Sequence, residues 1–408
     1  MGNNGRSHLV LALNTKGIGE LWLGLRVAMD LKAAGDSVSF LTLEGNAMPL
    51  RGSFPFSTFK LATSPLLPFL VERRIRGAQS ASIIFADYLT CSVFLRTNGM
   101  TPATFQRIGV PIIAIDTWDS SRTPETIDCF IDDVERVPQW RDSVTPICPV
   151  PFLSPDTPGA YQSLPQMTVA PRKVRKHLRH TLGLSDRHKA VLFCTAKWQH
   201  MPFRSDSGRR LAASLPRLLA EYLSEIDETV HLVHVGPEPY PLGDCLHERY
   251  HWVAQVPPRE FDLLVSSMDL LVSANIAATT IAKAMVAKVP TLVLQNSFSG
   301  ASVEEVEQNV GRTLAERSRE WVRASAPIYP FALWPVGYHR FLAPVLRDNP
   351  YSGAFQVVEV LDEDALKAAL AALTLDRTAR DAQLHLHAAY LARIEACPTA
   401  AERVLAHC

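Results

Sequence analysis

The feature that most constrains this chain is a recurrence. Short continuous apolar runs alternate with loops carrying glycine or aspartate, and then with stretches whose apolar residues fall at helical spacing. Residues 8–13 form the first run, and residues 14–20 (NTKGIGE) form the loop that leaves it. Leu21, Leu25, Ala28, Met29 and Leu31 then repeat at helical intervals until Gly35, which reads as a C-cap. Residues 37–43 are a second apolar run. A continuous apolar run suits a strand buried on both faces, so these segments make one strand–helix–strand unit of a parallel sheet.

The recurrence continues. Further strands are expected at 82–85, 110–115 and 126–131, and the first two end in Ala86-Asp87 and Asp116. From 149 to 171 prolines recur at 149, 151, 155, 158, 165 and 171, which reads as a linker. A basic helix is expected at 172–184. A second series follows, with strands at 190–194, 230–235, 251–253, 270–273 and 291–294 and helices at 208–223, 259–268 and 279–287. The end, 362–407, is largely helical and rich in Ala and Leu. The expected fold class is α/β, with two Rossmann-like domains facing an interdomain cleft. The first domain spans 1–150, the linker 151–171 and the second domain 172–375. Residues 376–408 form a helical tail able to pack back on the first domain. In open parallel sheets ligands bind beyond the carboxyl ends of strands, so residues just after strands are the ones to inspect.

Composition narrows the partners. Among 408 residues, 41 basic and 41 acidic side chains cancel, which argues against a general nucleic-acid or membrane-surface binder. No stretch approaches the roughly 20 apolar residues of a membrane span, and the first half shows no peptide-, lipid- or membrane-binding stripe. The apolar run near the N-terminus is too short for a secretion signal. The seven cysteines are scattered with no CxxC pair, so reduced thiols and a cytoplasmic setting are expected. The histidines make no HxxxH or HExxH array, and no metal is expected. His385 and His387, two apart on a helix, fall on different faces.

Residues 268–297 (MDLLVSANIAATTIAKAMVAKVPTLVLQNS) carry the clearest chemistry. A helix beginning near Thr279 presents free backbone N–H groups and a partial positive charge, and Ala274, Ala277 and Ala278 let an anion approach them. Ser273, Asn275, Thr279 and Thr280 add polar donors, which makes this end a place for a diphosphate. An ordinary helix cap in an α/β core is the bland alternative. Thr195 and Lys197 follow the strand 190–194, where a hydroxyl and an ammonium also suit a pyrophosphate; an exposed loop lysine is the plainer reading.

This segment is similar to the donor-binding stretch of GT-B glycosyltransferases, and residues 8–42 resemble the first strand–helix–strand unit of that superfamily. The resemblance extends loosely over both halves. It implies transfer of a sugar from a nucleoside-diphosphate sugar, a UDP-sugar in the first instance, with the second domain holding the donor. It places Val256 where the nucleobase is read through backbone groups, and Gln295 and Asn296 where the donor sugar is contacted. Two departures stand out: the turn usually carries glycine but here reads Ser-Ala-Asn-Ile, and a glutamate that commonly holds the ribose falls near Lys283. Lys283 cannot accept hydrogen bonds from ribose hydroxyls; it either meets a further anionic group or is a helix-surface lysine.

An inverting transfer needs a base to activate the acceptor. The resemblance implies a histidine in the first loop; here that loop offers Gly17, Gly19 and Glu20. Glu20, Asp87 and Asp116 are the candidate catalytic carboxylates, a first-turn helix glutamate and two turn-forming aspartates being the alternatives. Residues 329–341 (YPFALWPVGYHRF) either pack the tail or line the acceptor pocket with His339 or Arg340. A small acceptor is expected: a sugar, an aglycone or a nucleobase such as cytosine, as in the cytosylglucuronate synthases of nucleoside-antibiotic pathways. Monomer and homodimer both fit. Three other readings stand beside it: a sugar-nucleotide epimerase or hydrolase of the same fold, a partner protein without activity, and a dinucleotide oxidoreductase. For the last, Gly17 and Gly19 follow the first strand and Glu44 closes the second, but the third glycine is displaced to Gly24.

Overall fold

In the computed structural model, the residues described are 5–13, 19–122, 138–195, 206–254, 256–298, 300, 302–325, 342 and 345–408. They form two compact units. The first comprises 1–163, 341–349 and 393–408, and the second 164–340 and 350–392.

The first unit holds a seven-stranded sheet in the order β3-β2-β1-β4-β5-β6-β7, every pair parallel. Its strands are β1 (Ser7–Ala12), β2 (Ser37–Leu43), β3 (Phe56–Phe59), β4 (Ser82–Phe85), β5 (Ile112–Ile115), β6 (Thr145–Val150) and β7 (Ala160–Gln162). The central strand β1 explains the arrangement. Successive side chains point to opposite faces, so Leu9 and Leu11 enter one core with Leu67, Val71 and Ile75. Val10 and Ala12 enter another with Leu21, Leu25 and Ala28 of the helix Gly19–Ala33. That helix lies very close to the sheet at Gly24, where a Cβ would come within 3.0 Å of the Ala86 Cβ and 3.3 Å of Val10. The displaced glycine therefore serves helix-to-sheet packing.

Residues expected as linker contribute β7 to this sheet. The chain end covers its edge: Gln162 N donates to Pro398 O at 2.9 Å, and Arg403 Nε donates to Ala160 O at 2.9 Å. The helix Ala400–Leu405 carries a capping box, with Glu402 N donating to Thr399 Oγ1 at 3.2 Å and Thr399 N to Glu402 Oε2 at 2.7 Å. Its Ala400, Ala401 and Val404 complete the second core. The tail does not stay together, because the helix Arg377–Glu395 starts in the second unit and ends in the first. The strand expected at 126–131 and the aromatic block with His339 and Arg340 lie outside the described residues.

The second unit holds a six-stranded parallel sheet, order β10-β9-β8-β11-β12-β13. Its strands are β8 (Lys189–Cys194), β9 (Val230–Val235), β10 (Tyr250–Val253), β11 (Leu270–Ser273), β12 (Thr291–Gln295) and β13 (Gln356–Glu359). At the amino edge, buried Asp269 accepts from Arg179 Nη1 at 2.7 Å, Arg175 Nη2 at 3.1 Å and Ala190 N at 2.9 Å. Burial alone would raise the Asp269 pKa, but Arg179 and the other donors hold it below the usual carboxylate value. A depression of about 470 Å³ near this edge is lined by Arg172, Arg175, Lys176 and Asp186. Two of its cations are already paired, Arg175 with Asp269 and Lys176 with Asp186 at 2.8 Å. Along the same edge His188 stacks on His231 at 4.2 Å, and His231 Nδ1 lies 2.9 Å from His251 Nε2.

Candidate functional site

In the second unit the direction of progression along the sheet reverses at β8, which has β9 on one side and β11 on the other. The crevice beyond the carboxyl ends of such a pair is where ligands settle in open α/β sheets. Thr195 follows β8, and Ser273 ends β11. Beyond Ser273 the chain makes two nested turns: Ser273 Oγ donates to Asn275 O at 2.9 Å, and Ala277 N donates to Asn275 Oδ1 at 3.0 Å. Asparagine thus forms by side-chain bonding the turn for which glycine was expected.

These turns deliver the helix Thr279–Val286. Its N-cap is Ala278, which makes no side-chain cap bond. Ala278 N donates to Asn275 O and Ile281 N to Ala278 O, both at 3.0 Å. Among the described residues no capping oxygen reaches the first-turn N–H groups of Thr279 and Thr280. Thr279 is exposed and Thr280 half-buried. The loop is braced from within by buried Tyr351, whose hydroxyl donates to Ile276 O at 2.7 Å.

Thr195 belongs to a polar chain. Its Oγ1 lies 2.8 Å from His234 Nε2, His234 Nδ1 lies 3.0 Å from the Tyr250 hydroxyl, and Tyr240 N donates to that hydroxyl at 2.9 Å. His234 is fully buried and stacks on Tyr240 at 4.5 Å. Gly236 fits between them: a Cβ there would stand 2.4 Å from both His234 Nε2 and Thr195 Oγ1. Lys197 lies outside the described residues, and Val256 is half-buried in the loop after β10.

On the far side of β11, Gln295 Nε2 donates to Glu359 Oε1 and to Ser297 Oγ, each at 3.0 Å, and Ser297 N donates to Glu359 Oε2 at 2.8 Å. Asn296 is buried, with Nδ2 donating to Phe298 O at 2.8 Å and Oδ1 accepting from Phe298 N at 3.1 Å. Asn296 therefore shapes the loop, and Gln295 is held by Glu359. Lys283 is ion-paired with Asp262 of the helix Pro258–Val265 and sits 5.4 Å from the Phe261 ring centre. The anionic group it meets among the described residues is therefore a carboxylate of the neighbouring helix.

In the first unit Glu20 is the second residue of the helix Gly19–Ala33. Its side chain, and Gly17, lie outside what is described; Gly19 opens that helix. Asp87 is buried and caps the helix Tyr88–Thr97, its Oδ2 accepting from Thr90 N at 2.7 Å and Thr90 Oγ1 at 2.8 Å. Asp116 is buried at the end of β5. Its Oδ1 accepts from Ser120 N at 2.9 Å and its Oδ2 from Ser121 N at 2.8 Å, so one carboxylate closes the whole loop. Burial raises its pKa against the lowering effect of those donors and Arg122. Asp119 in the same loop takes a left-handed φ of 55°. Arg122, which ends the described loop, reaches Cys148 Sγ at 3.1 Å and pairs with Asp119 at 2.5 Å.

Sequence reading thus missed Tyr351, His234, Asp262 and Glu359, all of which hold loops. Among the described residues no group of three metal-binding side chains is close enough to hold an ion, and no helix is long and apolar enough to cross a membrane.

The fold has known relatives. The glycotransferase of kitacinnamycin superposes with a TM-score of 0.55 at 12% identity, covering 99% of this chain and 98% of that one. SnogD, a glycosyltransferase from Streptomyces nogalater, gives 0.53 at 14% identity over 99% and 98%. The glycosyltransferase VinC, in complex with dTDP, gives 0.53 at 14% over 98% of both chains. At such identities the likeness establishes the fold, which is that of GT-B glycosyltransferases. No curated protein matches the sequence. Residues 27–407 match the family of unknown function DUF6365, and the chain belongs to that family.

Proposed function

We propose that this chain is a glycosyltransferase that moves a sugar from a nucleoside-diphosphate sugar, a UDP-sugar in the first instance, to a small-molecule acceptor. The observation that carries the reading is the uncapped helix terminus at Thr279 and Thr280, at the switch point of the second sheet. A departing diphosphate gains negative charge as the bond from the anomeric carbon to its oxygen breaks. Backbone N–H groups and a helix dipole aimed at that charge stabilise it without reorganising. Thr195 follows β8 at the same end of the sheet, and the reading assigns Lys197, two residues on in the sequence, to the diphosphate and Gln295, seated on Glu359, to the donor sugar. Val256 borders the base. The bound dTDP of VinC, a protein of the same fold, supports a diphosphate here.

The acceptor falls to the first unit. Asp87 and Asp116 are engaged in closing their own loops and act as positioning residues. Glu20, at the start of the first helix beside the glycine loop, is the base for an inverting transfer. The acceptor oxygen or nitrogen forms its bond to the anomeric carbon while its proton passes to the Glu20 carboxylate. An antibiotic-type acceptor, a nucleobase included, belongs to the same reading.

The test is release of nucleoside diphosphate from a panel of UDP- and dTDP-sugars, with and without acceptors. Release that requires an acceptor supports the reading. Release without one would reassign the chain to donor hydrolysis or epimerisation, and no release from any pair would sink the proposal. Glu20→Gln is expected to lower kcat about 10²–10⁴-fold with donor KM unchanged, whereas Thr280→Ala should raise donor KM.

A further inference from the structure

The crossover from β3 to β4 carries a face that the rest of the fold leaves unused. Residues Leu61–Leu66 form a short 3₁₀ turn containing Pro65, followed directly by the helix Leu67–Ala78 with Pro68 in its first turn. Leu67, Val71 and Ile75 recur every fourth position and enter the core. The opposite stripe, Leu66, Phe69, Arg73 and Arg76, follows the complementary spacing of three and four. Leu61 is 60% exposed, Leu66 58% and Phe69 62%. Apolar side chains with three-fifths of their surface in water stand out from the protein; they do not line a recess. From the sequence no lipid-binding stripe is expected in this half; these three exposed side chains are the structural observation that departs from that picture.

Charge is concentrated in the same stretch of chain. Lys60, Arg73, Arg74 and Arg76 lie within the same short stretch as a single acid, Glu72. Glu72 is taken by Arg76 at 2.7 Å. Arg73 is exposed and makes no ion pair among the described residues. The chain as a whole carries no net charge, so this is a local asymmetry. Protruding Leu and Phe flanked by long cations match the interface of an anionic bilayer: the apolar tips enter the acyl boundary while arginine and lysine stems reach headgroup phosphates. The prolines stiffen the segment, so little order is lost on contact.

We propose that the face formed by Leu61, Leu66 and Phe69 with Lys60, Arg73 and Arg76 is a peripheral docking surface for anionic phospholipid. It lies where the chain leaves the carboxyl end of β3, the same sheet edge that carries the loops after β1, β4 and β5. The inference does not depend on the reaction assigned above.

The test is co-sedimentation of the full chain with vesicles of phosphatidylcholine alone and of phosphatidylcholine mixed with phosphatidylglycerol. Binding is expected only to the anionic vesicles and should weaken as salt rises. Arg73→Gln should weaken it about fivefold, and Leu66→Ser with Phe69→Ser about tenfold or more. The thermal midpoint of each variant should match the parent, since the altered side chains face solvent. Absence of binding to anionic vesicles, or equal binding by the serine variant, would overturn the proposal. So would a vesicle-free dimer, seen by sedimentation velocity, that Phe69→Ser dissolves; that result would give the face to a second copy of the chain.

Discussion

The two units share a strand plan but differ in the buried groups whose protonation is shifted. The first buries carboxylates, with one imidazole, His8, held between Ser82 and Asp36. Asp87 and Asp116 each close a loop by accepting backbone N–H groups, and burial raises the Asp116 pKa. The second buries imidazoles and ion pairs. His231 and His387 are both buried, and desolvation, the leading cause in each, lowers their pKa to about 4. For His231 the neighbouring His188 and His251 add to the effect. Neither ring nitrogen of His387 finds a hydrogen-bond partner among the described residues. Through Asp116 on one side and His231 and His387 on the other, the shared topology carries groups that respond to acid in opposite directions.

The largest expected effect tests that contrast. An unfolded histidine takes up a proton near pH 6.5, whereas folded His231 and His387 resist it until about 4. The second unit should hold its full stability above pH 6.5 and lose it as pH falls toward 4, by roughly 1–2 kcal/mol per histidine at pH 5. Folded Asp116 instead binds its proton before the unfolded chain does, so acid does not draw on the first unit through that group. Hydrogen exchange followed from pH 7 to pH 5 should show opening of β9 and of the helix Arg377–Glu395 ahead of β1 and β5. Parallel losses in both units would break the comparison, and His387→Leu should flatten the pH response if it holds.

Gly236→Ala is the next in size. The new Cβ would overlap the Thr195–His234 contact, so a cost of about 1–3 kcal/mol is expected, confined to the second unit and accompanied by weaker nucleotide binding in calorimetry. An alanine variant with unchanged melting and unchanged affinity would mean that the polar chain around His234 tolerates displacement. The smallest effect sharpens the other side. Asp87→Ala removes a cap, at about 1 kcal/mol, and should speed exchange in the helix Tyr88–Thr97 while leaving the second unit alone.

How much of this was legible in the sequence depends on the range over which each feature is encoded. Residues 37–43, 82–85, 230–235 and 270–273 were read with the bounds later observed, because a strand buried on both faces writes a continuous apolar run. The edge strands β3 and β13 and the proline-bearing β6 lack that signal and were missed. The helix start at Thr279 is legible because a helix start is encoded locally. Tyr351 was not, since its partner Ile276 stands 75 residues away and nothing near Tyr351 announces it. Glu359 could have been found: it closes a strand as Asp87 and Asp116 follow theirs, but the short QVVE run hid the strand. Lys283 was noticed as misfit, and its partner Asp262, on the preceding helix, was within reach of the same reading.

The helix Arg377–Glu395 begins in one unit and ends in the other, and the first unit is gathered from three separate stretches of chain. Modularity at the level of folding does not imply modularity at the level of the gene. No single cut yields either half intact, since a truncation after 163 would strip β7 of the terminal segment that covers it. Chimeras that exchange the first unit by swapping the front of the chain must therefore carry the last sixteen residues with it.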